Sequence, residues 1–512
     1  MWRSTFIVSA MTMLSRILGL VRDMVLLNVF GAGGLMDAFL VAFKIPNFFR
    51  RLLAEGAFSQ AFIPVLTDYK TNHLHADVQV LISRVFGVLL TILSVMTVFA
   101  VVAAPLLIGL FAPGFVGDAV KFQTAVDLLR LTFPYLLFMS LTAFASSILN
   151  SYGSFATASF APVLLNITMI GAAWLATPYF AEPIMALGWA VIAAGILQLA
   201  IQIPELHAKK LLIPPKVDFK HDGVKRILKL MLPALFGVSV VQINLLLNTI
   251  WASFMVTGSV TWLYGAERLT ELPLGLIGIA IATVILPALS AKHAEQDHVK
   301  FRAMIDWAAR VIVLVGVPAS IAMLMLAEPM IQALFLRGEF SAHDVEMTAL
   351  ALQGMSVSIL AFMLIKIFAP AFYARQDTKT PVRIGLWSVG VNIVLNVVII
   401  GYFHWINYPS PHLALALSST VAACVNAGML YWQLGRQGIY RFESHWRLIA
   451  LRYAVANVVL VLALWFGVQW YPSDAEQWLR IVALLALCTW GAAAYGVAVL
   501  AMGFRLRDLR HP

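Results

Sequence analysis

Charge is what this sequence has least of. Only 12% of its 512 residues are Asp, Glu, Lys or Arg, where a soluble domain carries roughly 25%, and that shortfall excludes an ordinary water-soluble enzyme. Cysteine is nearly absent. Cys424 and Cys488 lie inside apolar runs with no CxxC pattern and no neighbouring histidine, so neither a disulfide framework nor a metal site is built from them. No GxxxxGK[ST] loop occurs, which removes ATP hydrolysis as a source of work. The N-terminus has no small-residue cleavage site after a short apolar core, and its first apolar run carries two arginines. It reads as a retained first helix and not as a signal peptide.

What the chain has is hydrocarbon: 61% of residues are hydrophobic, gathered in blocks of about twenty, enough to cross a ~30 Å layer at 1.5 Å per residue. The blocks fall near 5–30, 34–53, 80–111, 128–149, 158–178, 184–204, 230–253, 258–290, 308–335, 347–373, 382–403, 411–434, 448–470 and 478–503. The expected fold class is therefore all-α, a polytopic membrane protein of about fourteen transmembrane helices. The net charge of +10 would raise nucleic-acid binding in a soluble protein. Here it follows topology. Lys209, Lys210, Lys216, Lys220, Lys225, Arg226 and Lys229 crowd one gap. Lys292, Lys300, Arg302, Arg375, Lys379, Arg383, Arg436, Arg441 and Arg447 fill other gaps on the same side. The opposite gaps hold little beyond Lys121 and Arg337, with Arg480 a mild exception. Lys and Arg collect on the cytoplasmic side, so both termini are expected there and no nucleic-acid partner is called for.

A repeat lies beneath the spans. Leu149–Asn166 (LNSYGSFATASFAPVLLN) is placed like Tyr373–Asn392 (YARQDTKTPVRIGLWSVGVN), and FIPVL at Phe62–Leu66 like ILPAL at Ile285–Leu289. The offsets are 223 residues for Pro64 to Pro287 and 226 for Asn166 to Asn392. Two landmarks with nearly one period predict two parallel six-helix lobes, residues 1–205 and 230–440, joined by a basic linker at 206–229, with two further helices in 441–512. A substrate site is expected in a cavity between such lobes.

Ionisable residues sit inside several spans: Arg16, Arg22 and Asp23 in the first, then Asp37 and Lys44, then Arg50, Arg51 and Glu55 at the end of the second. Glu267, Arg268 and Glu271 follow in the eighth, and Lys366 in the tenth. Each central charge costs roughly 2.5–3.5 kcal/mol to insert, so the group must face water, one another or a ligand. Asp37, Lys44, Arg51 and Glu55 fall on one stripe of an ideal helix, but Pro46 interrupts it, and Arg50 can turn inward in place of Arg51. Either arginine can equally anchor a headgroup. Arg16 and Arg22 point about 120° apart and share a cavity only if it is broad or the helix bends near Gly19. Asp23 beside Arg22, and Lys366, read as local pairs or snorkelling side chains. Guanidinium forks match phosphate oxygens, so arginines converging from both lobes suit a diphosphate.

The runs MTMLSRILGLVRD (Met11–Asp23) and FGAGGLMDAFLVAFKIPNFFRRLLAEGAFSQAFIPVL (Phe30–Leu66) closely resemble the MurJ/MviN family. TFPYLL (Thr132–Leu137), FAPVLLNI (Phe160–Ile167), GSVTWLYGAERLTELPLG (Gly258–Gly275) and FYARQDTKTPV (Phe372–Val382) match it as well. These are the lipid II flippases of peptidoglycan synthesis, within the multidrug/oligosaccharidyl-lipid/polysaccharide (MOP) exporter superfamily. The resemblance implies a fourteen-helix transporter of the bacterial inner membrane with a central V-shaped cavity, and a groove toward spans 13 and 14 for a polyprenyl tail. Its partners would be undecaprenyl-diphosphate-linked lipid II, membrane lipids and other cell-wall synthesis proteins, with no cofactor. It implies a substrate-binding set of Arg16, Arg22, Asp37, Arg50 and Arg268, with Glu55 as a lesser member. It favours Arg50 where ideal geometry favours Arg51, so both are kept. Glu267 stands where the family leads one to expect aspartate. Residues 230–253 contain no acid, which argues against sodium coupling. The rivals are a drug exporter of the same superfamily, whose cavities favour cations, and a membrane enzyme acting on polyprenyl phosphates. That enzyme would need clustered aspartates or a His–acid pair, and most of the eleven histidines are scattered through loops.

Overall fold

A computed structural model describes residues 2–505. No strand occurs among the described residues, as expected where a backbone in hydrocarbon must satisfy its own hydrogen bonds. Ten helical stretches among them are long and apolar enough to cross a membrane: 75–102, 119–151, 156–179, 185–208, 298–325, 342–373, 379–405, 413–436, 445–468 and 477–501. Each overlaps an expected span. The other four expected spans, 5–30, 34–53, 230–253 and 258–290, also coincide with helix but are not among these ten. Hydroxyls inside the spans are satisfied locally: Thr91, Thr168 and Thr489 donate to the carbonyls of Gly87, Leu164 and Leu485, four residues back, the usual device for a polar side chain in an apolar helix.

The chain divides into two compact units, Met1–Thr261 and Trp262–Pro512. The first contains α1 (Trp2–Phe30), α2 (Gly34–Arg50), α3 (Ser59–Asn72), α4 (His75–Val102), α5 (Ala104–Phe111), α6 (Ala119–Thr132), α7 (Tyr135–Ser151), α8 (Ala156–Gly171), α9 (Met185–Ala200), α10 (Ile203–Ala208) and α11 (Asp222–Ser253). Between α2 and α3 the helix widens into a π-helical stretch, Arg51–Phe58. The core joins Phe58, Phe62 and Phe144 to Val85, Val88, Leu206, Leu211, Val224 and Ile227, so the basic segment around 206–229 is packed in, not hanging free. Along α4 the segment is stitched down: Ser83 Oγ donates to the Pro214 carbonyl (2.7 Å), Lys216 N to the Ser83 carbonyl (3.1 Å), and Gln79 Nε2 to the Lys210 carbonyl (2.8 Å). Gly87 makes this possible, because a Cβ there would lie 2.4 Å from the Lys216 carbonyl. Arg226 pairs with Asp68, and that hydrogen bond leads the interactions holding the Asp68 carboxyl below the usual carboxylate range.

α12 (Ser259–Pro273) begins in the first unit and continues into the second, which adds α13 (Ile279–Ala294), α14 (His298–Met325), α15 (Ala327–Phe335), α16 (Ala342–Ser356), α17 (Ser358–Tyr373), α18 (Lys379–Trp405), α19 (Leu413–Arg436), α20 (His445–Val468) and α21 (Gln477–Ala501). A second π-helical stretch, Leu274–Gly278, separates α12 from α13. The proline landmarks of the repeat, Pro64 and Pro287, lie in α3 and α13, each in the helix after a π-stretch. Trp262 Nε1 donates to Asp344 at the start of α16 (2.9 Å), and His412 at the start of α19 bonds the Met347 carbonyl (2.8 Å). These polar links tie α12, α16 and α19 together where a purely apolar contact would leave register open. The last two helices pack on each other, α20 also against α14 and α21 against α15.

Candidate functional site

The charged residues of α1 face different surroundings. Arg22 is buried, 5% exposed, and three of its nitrogens are engaged: Nε and Nη2 donate to Asp23 Oδ1 at 3.0 and 2.6 Å, and Nη1 to Asn166 Oδ1 at 3.2 Å. Asn166 in turn donates to the Ser15 carbonyl (3.0 Å), and Gly19 lies opposite it. Asn166, legible beforehand only as a repeat landmark, is therefore the polar clasp between α1 and α8. Arg16 lies elsewhere on the helix and is half-buried, in keeping with the angle that their spacing imposes.

Asp37, at the start of α2, is 1% exposed and accepts four hydrogen bonds. They come from Lys121 Nζ (3.0 Å), the backbone N–H groups of Gly258 (2.8 Å) and Thr261 (3.0 Å), and Thr261 Oγ1 (2.7 Å). Two donors lie at the start of α12, where helix N–H groups have no internal partner and a carboxylate is favoured by the helix dipole. Lys121, 7% exposed, also sits over the Phe115 ring at 4.3 Å. Sequence reasoning missed Lys121 as a site residue and counted it only among loop charges. Nothing in local pattern joins residues 37, 121 and 261.

Farther along α2, Lys44 is half-buried. Asn47 donates back to the Phe43 carbonyl (2.8 Å) and receives Arg50 Nε on its Oδ1 (3.1 Å). Arg50 closes α2 and is half-buried, whereas Arg51 opens the π-stretch and is exposed. Arg51 thus leaves the regular ladder that carries Asp37 and Lys44. The Glu55 side chain lies outside the described residues. In the second unit, half-buried Arg268 pairs with Glu271 through Nη1 (3.2 Å) and stacks near Tyr264, 5.6 Å from the ring centroid. Within the first unit the structure brings Asp37 to Lys121 and Thr261, Arg22 to Asp23 and Asn166, and Arg50 to Asn47. A guanidinium held by a carboxylate or an amide can exchange that partner for the oxygens of an anion, and π-stretches such as those after α2 and α12 often mark function.

The fold is that of the MOP-superfamily transporters. An inward-facing multidrug resistance MATE family transporter of that superfamily superimposes with a TM-score of 0.68 at 14% identity, over 85% of this chain and 98% of that one. A structure described as "Lipid II flippase MurJ, inward closed conformation" does so with a TM-score of 0.80 at 23% identity, over 98% of this chain and 99% of the other. The sequence model of the family described as lipid II flippase MurJ matches residues 26–487. The "Probable lipid II flippase MurJ" of Vibrio cholerae is 43% identical, covering 99% of this chain and 97% of its own length. The "Lipid II flippase MurJ" of Burkholderia cenocepacia is 39% identical, with 100% and 99% covered. The chain belongs to the MurJ family.

Proposed function

We propose that this chain is a lipid II flippase of the bacterial inner membrane, with both termini in the cytoplasm, carrying undecaprenyl-diphosphate-linked peptidoglycan precursor from the cytoplasmic to the periplasmic leaflet. The observation that carries this reading is the near-complete match to family members at 43% and 39% identity. Buried and half-buried guanidiniums in α1, α2 and α12 support it, because an exporter of cations would gain nothing from them. The moving bodies are proposed as lobes 1–205 and 230–440, joined by 206–229, with 441–512 appended. This division rests on the repeat period. Arg16, Arg22, Asp37, Arg50, Arg51 and Arg268, with Glu55, are the proposed substrate set. The diphosphate is taken up by the arginines, and Asp23 and Glu271, which pair with Arg22 and Arg268, hold those two when it leaves.

Transport follows alternating access, and the membrane potential supplies the direction. Moving one negative charge out of a negative-inside cell is favourable by roughly 2.3 kcal/mol per 100 mV. The test is depletion of the native protein with replacement by Arg16→Ala or Arg268→Ala, scoring lipid II that an external probe can reach. A stably inserted variant is expected to leave lipid II inside. Normal surface exposure would remove that arginine from the mechanism, and export undiminished after collapse of the potential would remove the driving force.

A further inference from the structure

One residue past Thr261, near the head of α12, Trp262 is 3% exposed and enters a seat made by α16 and the start of α19. Its indole N–H donates to Asp344 Oδ1 (2.9 Å), and the other oxygen of that acid accepts from the Ser341 N–H (2.9 Å) and hydroxyl (2.8 Å). The His412 ring lies against the indole with centroids 5.0 Å apart, and the His343 ring meets it edge-on at 5.7 Å.

His412 is completely buried, just ahead of the span 413–436. Its Nε2 lies 2.8 Å from the Met347 carbonyl. A carbonyl only accepts, so Nε2 carries the hydrogen and Nδ1 the lone pair. Nδ1 is buried with no hydrogen-bond partner among the described residues. A proton taken there makes a buried cation with no acceptor, ahead of the first turn of α19, where the helix dipole also opposes positive charge. The neighbouring indole returns only part of that cost. Burial, with a smaller push from His343, therefore holds the imidazole below its ordinary range, against the bond to Met347. Other charges stand back. On α16, Asp344 is engaged by Trp262 and Ser341, while His343 and Glu346 are exposed. Residues 259–266 of α12 and 413–420 of α19 contain no acid, lysine, arginine or histidine. Arg337 and Glu339 before α16, and His404 at the end of α18, are exposed.

We propose that His412 is a positioning residue for α12 whose hold is released by protons: neutral, it seats Trp262, and on taking a proton it leaves and the start of α12 comes loose. The seat is complete above the ordinary histidine range and is lost as pH falls below it. Arg268, of the proposed substrate set, lies six residues beyond Trp262, about 9 Å along the helix, so transport inherits the dependence. The turn before α19 falls on the side opposite the basic gaps. That this side is the periplasm rests on the proposed topology, and there the seat senses acidity outside the cell.

The test reads hydrogen exchange in the full chain, purified in detergent, at pH 7.5, 6.5 and 5.5, with the intrinsic chemical rate divided out. A released imidazole takes its proton around pH 6.5 while the seated one stays neutral, so the open form should be about tenfold more populated at pH 5.5 than at 7.5. Wild-type peptides covering 259–266 and 411–416 are expected to exchange faster by that factor. His412→Gln, which keeps a donor for the Met347 carbonyl but takes no proton, is expected to show no rise. A flat wild-type profile would overturn the proposal without any variant having to fold. So would a rise that persists in His412→Gln and disappears in His343→Gln. This readout does not depend on what the chain transports. The effect on α12 is read separately, as lipid II exposure in cells at outer pH 7.5 and 5.5. Exposure is expected to fall in acid in wild type and to hold in His412→Gln, and equal falls in both would remove the positioning role.

Discussion

Asp37→Ala is the substitution that separates a fastening role from a substrate-binding one. It leaves the Lys121 ammonium, 7% exposed, without its counter-ion, and removes the acceptor of the Gly258 and Thr261 N–H groups. Stranding one member of a buried ion pair costs about 3–5 kcal/mol. Lys121→Met strands the carboxylate less completely, because three other donors remain on it, and is expected to cost about 1–3 kcal/mol. The double variant removes both charges, so its loss should fall short of the sum of the single losses by about 0.5–3 kcal/mol, the coupling expected of contacting residues. The assay is unfolding of the full chain in one detergent, run on all four proteins alongside the lipid II exposure assay. Additivity to within about 0.5 kcal/mol would refute the pairing. Full stability of Asp37→Ala with transport abolished would show that the carboxylate acts on substrate and not as a fastener.

Three further outcomes follow from the same geometry. Asn166→Ala removes both the Arg22 acceptor and the donor to Ser15, and should lower stability by about 1–3 kcal/mol, read as a fall in Tm. Gly87→Leu drives a side chain into the Lys216 backbone. Overpacking of that kind costs about 1–3 kcal/mol and should free the 209–221 segment, so tryptic cleavage there should accelerate; an unchanged cleavage rate would deny the stitching. For the Arg226–Asp68 pair, the folded carboxyl titrates below its unfolded value. Its contribution is therefore complete above the ordinary Asp range and lost as pH falls through the lowered value. Hydrogen exchange in 222–229 should rise over that window in wild type and show no such step in Asp68→Asn.

The membrane spans were legible because twenty apolar residues in a row admit one reading in hydrocarbon, and every one of the ten long apolar helices overlaps an expected block. The charges were legible as a set for the same reason: their cost makes them conspicuous. Their partners were not. Lys121 meets Asp37 across 84 residues and Arg22 meets Asn166 across 144, and no local periodicity encodes a contact made only when helices pack. The different surroundings of Arg50 and Arg51 depend on backbone geometry. Pro46 drew attention to a break in the helix, yet the widening starts at Arg51, among residues with no feature that announces it.

The wide turns after α2 and α12 have a mechanical corollary. Such a turn holds one residue more than the regular ladder requires, and taking up or giving back that residue rotates all that follows by about 100°. Neighbouring side chains then trade places without any bond being broken for good. A helix equipped in this way can turn the side chains beyond the wide stretch without unwinding, which a stiff rod of the same sequence could not do.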